Sequence, residues 1–354
     1  MDRNIHTVKL AAVGDLLFCR DGRARCWDRL FDRAKPLWDG SDILFGNLEC
    51  CLASDQTVTT EPRVVATEQM VRSIGGAFDI VSLGNNHAMD CLEQGLDRLI
   101  ETVENLDIEH IGAGMEASAA AEATILRRCG RSVAFIAAVD AETGPWCFAD
   151  AGRAGVAPLD ESLVGRIQSL REQVDHVVVS LHWGRERYPM PLPSQRRLAR
   201  RLIESGADLI LGHHPHVLQG MERIGRGAVI YSMGNFVSCE VPFTDGDRIK
   251  WNRRERTGCV VLAELGEGGV ASIRRVATID DGDGPRPLSA KRSSRLFERL
   301  DRLAAVDASR GCLRRQHLRL HLLKPALGYL KPSKLRTLRI GQFSKALRTL
   351  LARK

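Results

Sequence analysis

No stretch of the 354-residue chain reaches the roughly 18 consecutive apolar residues that a membrane-spanning helix requires, so a helical span is not expected. The opening residues Met1-Asp2-Arg3-Asn4-Ile5-His6 contain no apolar h-region and run straight into an apolar stretch, so no secretory signal is expected either. Aromatic residues make up only 5% of the chain against 44% hydrophobic residues, and the core must therefore be mostly aliphatic. The ten cysteines (Cys19, Cys26, Cys50, Cys51, Cys91, Cys129, Cys147, Cys239, Cys259 and Cys312) form no CxxC pair and no zinc-ribbon spacing. Scattered thiols in a chain of this size, with no leader, point to a reduced cytoplasmic protein. No internal repeat is present.

What the chain does have is length for one large core, or for a core plus an appendage, and an uneven charge distribution. The net charge of +7 hides two regions of opposite sign. Residues 285–354 carry 19 Lys and Arg against 3 Asp and Glu, while residues 1–284 carry 32 against 41. An acidic body is thus joined to a basic tail, which bears on partners rather than on fold.

Short apolar, β-branched runs recur, each leading into a polar or glycine-containing segment. Val8–Leu17 ends through Gly14-Asp15, and Asp42–Phe45 leads into Gly46-Asn47-Leu48-Glu49. Phe78–Leu83 leads into Gly84-Asn85-Asn86-His87, Val177–Leu181 into His182-Trp183-Gly184, Asp208–Leu211 into Gly212-His213-His214-Pro215-His216, and Ala228–Tyr231 into Ser232-Met233-Gly234-Asn235. Val133–Val139 follows a hairpin-like Cys129-Gly130-Arg131-Ser132. These read as buried strands. Helical periodicity lies between several of them, over Leu92–Leu106 and over Pro193–Ser205 up to Gly206. The alternation predicts an α/β fold. Thr257–Leu265 and Ala271–Val276 read as a late strand pair, and the turn-rich Asp280–Pro287 segment as the end of the body. The expected organisation is a body over 1–280, a linker with a short helix over 281–307, and a basic amphipathic tail over 308–354.

The polar residues share one placement, the C-terminal ends of the strands, where open α/β sheets bind ligands. The carboxylate of Asp15 is able to hold a cation or to cap a helix. Asn47 and Glu49 both carry oxygen donors two positions apart, which puts them on one side of a continuing strand. Asn86 offers a carbonyl oxygen; His87 is suited to donate a proton without being coordinated; Asp90 either orients His87 or caps the following helix. His182 ends a strand beside a glycine, with Arg185 and Glu186 next. The histidine run carries the strongest signal: in extended backbone His214 and His216 point the same way, and Pro215 favours that conformation for His214. Asn235 either supports a bound histidine or caps a turn.

These segments resemble the bacterial CapA capsule-synthesis family, linked with poly-γ-glutamate capsule formation and belonging to the calcineurin-like metallophosphoesterase superfamily. The matching stretches are Gly14-Asp15, Asn47-Leu48-Glu49, Asn85 to Asp90, His182-Trp183-Gly184, Gly212 to Gln219 and Tyr231 to Phe236. The resemblance implies a two-sheet β-sandwich flanked by helices, with one or two divalent metal ions (Mn, Fe or Zn) at the strand ends. It implies metal-site roles for Asp15, Asn47 or Glu49, Asn86, His182, His214 and His216. His87, with Asp90, would be the catalytic acid or oxyanion partner. His213, Asn235 and Glu186 stand behind or beside the ligands. Two departures matter: the superfamily's Asp-x-His is Asp15-Leu16-Leu17 here, and the position of its bridging Asp is Asn47, which makes Glu49 the better bridge.

The function so implied is metal-dependent hydrolysis, phosphoesterase-like, in capsule or exopolymer biosynthesis. A phosphorylated or polymeric envelope compound would be the substrate. The alternative is a non-catalytic assembly or tethering component with a degenerate metal site. Residues 308–354 hold 13 Lys and Arg and no Asp or Glu, interleaved with leucines. Such a stretch fits an anionic membrane surface at the inner membrane face, replacing the N-terminal anchor the family resemblance implies, or else packs on the acidic body. Nucleic acid is not the expected partner, because no stacking aromatics accompany the charge.

Overall fold

The computed structural model describes residues 7–20, 25–54, 58 and 61–305. The first apolar run forms the strand Val8–Leu17, buried at every position but Lys9, as expected of a strand covered on both faces. It lies inside an eight-stranded sheet. Ile43–Leu48 and Asn235–Ser238 pair with it in parallel, and Thr257–Gly266 pairs antiparallel. Ile80–Ser82 and Glu109–Ile111 extend the parallel side, while Gly269–Asp280 and Pro285–Pro287 extend the antiparallel side. A second sheet of six strands has four in parallel: Arg131–Val139, His176–His182, Leu209–His213 and Gly227–Ile230. Its edges are the hairpin partners Thr124–Arg128 and Met221–Ile224.

The two-residue side-chain period of a strand sorts the core into layers. Leu10 and Ala12 point between the sheets, where they meet Phe45, Phe135, Val178, Leu211 and Val261. Across that interface the rings of Phe45 and Phe135 stack with centroids 5.9 Å apart. Ala11 and Val13 point the other way, toward Leu96, Leu99 and Val103 of the helix Leu92–Glu104. The outer face of the second sheet, through Ala134, Ile136 and Val179, is covered by Leu163 and Ile167 of Ser162–Arg171 and by Leu202 of Pro193–Glu204. The result is the α/β architecture expected from the sequence, a two-sheet β-sandwich flanked by helices.

Residues 281–305 differ from the linker and short helix expected over 281–307. Pro285–Pro287 is a sheet strand, and Ala290–Ala305 is a 16-residue helix that belongs to the body. Phe297 and Leu300 enter the inter-sheet core, and Arg275 covers the Phe297 ring at 4.3 Å while bonding Asp301 at 2.9 Å. Gly220 permits the helix its close approach, since a Cβ there would lie 2.4 Å from the Leu300 carbonyl oxygen. The Gly- and Asp-rich turn reads as an exit from the fold, but the chain uses it to double back. The tail 308–354 lies outside the described residues.

Parallel pairing brings the polar ends of the strands to one edge. Asp15 is in register with both Asn47 and Asn235, and His182 is in register with His213.

Candidate metal centre

Asp15 is placed by backbone contacts on either side of it. Its amide donates to the Gly234 carbonyl at 2.9 Å. The preceding Gly14 allows this approach, because a Cβ at that position would stand 2.0 Å from the same oxygen. The carboxylate is fully buried and partnered. Oδ1 accepts from Asn47 Nδ2 at 2.9 Å and meets His213 Nδ1 at 2.9 Å; Oδ2 lies 3.5 Å from His216 Nδ1. Burial alone would raise the Asp15 pKa, but hydrogen bonds and charge from His213 and His216 outweigh it and hold the group well below the usual carboxylate range.

Glu49 is the contrasting case. The strand Ile43–Leu48 ends one residue earlier, and the Glu49 amide donates to the Leu16 carbonyl at 3.1 Å. Its carboxyl group is fully buried, and neither oxygen has a hydrogen-bond partner. Burial, reinforced by the Asp15 charge and opposed by His216, pushes its pKa up to about 8. An unsatisfied buried carboxyl costs several kcal/mol unless a cation or donor meets it, on the order of the penalty for any uncompensated ion. Ligand atoms of Asp15, Glu49 and His216 lie within 4.8 Å of one another.

The histidine run supplies the opposite wall, by a route other than the expected one. The strand Leu209–His213 stops at His213, and both His214 (φ +91°) and His216 (φ +53°) adopt left-handed backbone instead of extended chain. The imidazoles converge because the chain coils at the strand end. The His214 ring is 4.9 Å from that of His182 and 5.9 Å from that of His216. His216 Nδ1 meets Asn235 Oδ1 at 2.9 Å, and its Nε2 lies 3.6 Å from Glu49. Burial opposes the charged form of His216, but Glu49 and Asp15 raise its pKa to about 10. Burial dominates at His214 and lowers it to about 4, and burial together with the neighbouring His214 takes His182 well below the ordinary range.

His182 Nε2 bonds Asn86 Oδ1 at 2.7 Å and lies 3.9 Å from Glu49. Asn86 Nδ2 is 3.3 Å from His87 Nε2. His87 Nδ1 meets Asp90 Oδ2 at 2.7 Å, and the same oxygen accepts from the Val64 amide at 2.7 Å. Asp90 therefore orients His87; the helix Leu92–Glu104 starts at Cys91 without a side-chain cap. Burial disfavours the His87 cation, yet the Asp90 charge and hydrogen bond outweigh it and raise the pKa. Glu186 is exposed; desolvation would raise its pKa, but the charges of His216 and His214 outweigh it and lower it.

All the expected site residues therefore meet at one edge. Reading the sequence missed three others. Trp251 packs its ring 5.2 Å from that of His216. Glu255 accepts from Asn235 Nδ2 through its carbonyl oxygen at 3.0 Å, and Arg187 reaches Glu255. None of the three ends an apolar run, so strand-end position, the signal that found the rest, did not mark them.

The donor set fits divalent metal. Asp15 Oδ2, Asn47 Oδ1, both Glu49 oxygens, His182 Nδ1 and His214 Nδ1 are buried without a hydrogen-bond partner. Buried polar atoms are normally satisfied, and unsatisfied carboxylate oxygens of Asp15 and Glu49 gathered with His216 are the chemistry of a cation site. The nine cysteines among the described residues are free thiols, and none of them joins this group.

Comparison with known proteins places this geometry in context. The capsule biosynthesis protein CapA of Bacillus anthracis is 29% identical over 326 residues, covering 88% of this chain and 76% of that protein. The PGA biosynthesis protein CapA of Bacillus subtilis (strain 168) is 34% identical over 218 residues, 59% of this chain and 57% of that one. Among solved structures, the NAD nucleotidase NadN of Haemophilus influenzae aligns with a TM-score of 0.44 at 13% identity, over 91% of this chain and 61% of its own. The chain thus spans only about three fifths of that structure and of the B. subtilis relative. The sequence profile of the bacterial capsule synthesis protein PGA_cap matches residues 9–240, a range that takes in every residue of the cluster from Asp15 to Asn235. The chain belongs to the bacterial capsule synthesis protein PGA_cap family.

Proposed function

We propose that the chain is a metal-dependent hydrolase of the phosphoesterase type, acting on a phosphorylated or polymeric compound in capsule or exopolymer biosynthesis. The observation that carries this reading is the buried Glu49 carboxyl, unsatisfied at both oxygens and facing Asp15, His216 and His182. Asp15, Glu49 and His216 would hold one ion; Asn86, His182 and His214, sharing Glu49, would hold a second. Mixed oxygen and nitrogen donors suit Mn, Fe or Zn. Bound there, a divalent ion supplies Lewis acidity, lowering the pKa of water and polarising a phosphoryl oxygen.

The residues around the ions do the rest. Asp90 fixes the His87 tautomer with the proton on Nδ1 and leaves Nε2 on the side of Asn86. The raised pKa keeps a proton available at Nε2 for a leaving oxygen, the role of a general acid. Asn47 and His213 hold Asp15 in place, and Asn235 does the same for His216. The test is Mn²⁺-dependent hydrolysis of bis(p-nitrophenyl) phosphate by the full chain. Turnover that requires both Mn²⁺ and His87 supports the reading; no turnover with any of Mn²⁺, Fe²⁺ or Zn²⁺ contradicts it.

One observation favours a second reading. Leu17, at the place of the superfamily's first histidine, is buried in the apolar core and offers no donor. A weakened site of that kind suits a non-catalytic assembly or tethering component of envelope-polymer synthesis. Under that reading the chain binds metal, and His87→Ala changes nothing measurable in turnover. For either role, the basic residues 308–354 fit an anionic membrane surface, each nearby Lys or Arg adding about 1 kcal/mol. Among the described residues no helix is long and apolar enough to cross a membrane.

A further inference from the structure

After His182 the chain runs Trp183-Gly184-Arg185-Glu186-Arg187 and turns back across the histidine run. Arg187 closes that turn. Its φ of +66° lies in the left-handed region, which a non-glycine residue with a long side chain occupies only when its surroundings hold it there. The hold is a 2.7 Å hydrogen bond from its amide to the carbonyl of Pro215, between His214 and His216. The side chain is fixed along one edge. Nε lies 3.4 Å from Oε1 of Glu255, and Glu255 is 5% exposed whereas Arg187 is 40% exposed.

Glu255 is itself braced. Its Oε2 accepts from the Asn252 amide at 2.9 Å, and its carbonyl oxygen holds Asn235, whose Oδ1 meets His216 Nδ1 at 2.9 Å. The guanidinium therefore rides on the same frame as His216. Its two Nη groups make no hydrogen bond among the described residues. Arg187 Nε is buried and makes no hydrogen bond, so Glu255 holds it by charge, and the left-handed backbone at Arg187 seats the side chain beside the residues that brace His216.

We infer that Arg187 binds an oxyanion of the substrate through its Nη groups at the mouth of the cluster. The guanidinium fork matches the paired oxygens of a phosphoryl group or a carboxylate. This inference rests on the hydrolase reading for its purpose, but its test does not depend on turnover.

The experiment is equilibrium dialysis of the full chain against inorganic phosphate and, separately, against glutarate, with and without Mn²⁺. Arg187→Ala should weaken binding of at least one anion by about tenfold, the loss of a charge-assisted hydrogen bond, with Mn²⁺ content unchanged and a lower urea midpoint, because buried Glu255 loses its counter-ion. Arg187→Lys should recover part of that loss. Arg185→Ala, an exposed neighbouring cation 3.9 Å from Glu142, should stay within about twofold of the unaltered chain. A loss confined to phosphate identifies a phosphoryl ligand, and a loss confined to glutarate a carboxylate. Equal binding by Arg187→Ala and the unaltered chain overturns the inference, as does an equal loss in Arg185→Ala or no binding of either anion. If Arg187→Ala does not fold, Arg187→Gln takes its place under the same criteria. An unaltered chain that retains no Mn²⁺ overturns the metal reading alone, and the metal-free titrations then judge Arg187.

Discussion

At the scale of single residues, two fully buried acids, Asp15 and Glu49, are set apart by their partners. Asp15 has three, which hold its pKa down; Glu49 has no hydrogen bond, and burial pushes its pKa up. The same logic governs His87. Removing the Asp90 charge takes away what raises the His87 pKa, so Asp90→Asn should shift the alkaline limb of the kcat profile to lower pH. The sign follows from the role: the acid form is the active one, and a lower pKa loses it sooner as pH rises. A pH–rate series on both proteins checks this. His87→Ala should reduce kcat by about 10²- to 10⁴-fold, the usual worth of a general acid, with metal content unchanged by elemental analysis.

Most of these residues were legible in the sequence, because a polar residue that ends an apolar run has few bland explanations. The route by which His214 and His216 converge was not. Alternation predicts side-chain direction only while the chain stays extended, and the left-handed turns at both histidines depend on contacts such as that of Pro215 with Arg187. Glu255 and Trp251 were invisible for a related reason: they arrive through tertiary packing from a segment with no periodic pattern.

At the scale of elements, close backbone approach sets the positions of the ligands. Gly14→Ala would drive a Cβ into the Gly234 carbonyl, 2.0 Å away, and displace Asp15. The expected result is a loss of more than about 1 kcal/mol in urea unfolding together with reduced metal stoichiometry. The helix Ala290–Ala305 gives a second test. Its amphipathic spacing is readable, but the sequence does not show that it docks, because the Gly-Asp-Gly-Pro turn before it resembles an exit. Phe297→Ala should cost about 3–5 kcal/mol, as for any large buried ring, whereas a helix in a linker would tolerate the change.

At the scale of the whole molecule, the two sheets hold one ligand-bearing edge and one stabilising edge. At the far end from the metal cluster, buried Asp208 accepts from the Val177 amide at 3.0 Å and from Arg171 at 2.9 Å, and Arg226 reaches it at 3.1 Å. Burial would raise its pKa, but His176, the Val177 amide and Arg226 outweigh this and lower it. Its contribution to stability is therefore complete above the unfolded value of about 3.9 and is lost as pH falls below it. Asp208→Asn should flatten the acid limb of a stability profile measured by urea midpoint. The charge division between an acidic body and a basic tail also acts at this scale. If residues 308–354 seat the chain on a membrane, sedimentation with anionic liposomes should fall on their removal and with added salt. Equal sedimentation without them rules that role out.

The central claim is that Glu49, with Asp15 and the histidines, holds divalent metal. Elemental analysis of the purified full chain beside Glu49→Gln tests it most directly. The account predicts at least one Mn, Fe or Zn ion per unaltered chain and a clear loss in the variant, with the fold intact by circular dichroism. A chain that carries no metal after dialysis against Mn²⁺, or a variant that retains as much as the unaltered protein, would contradict it.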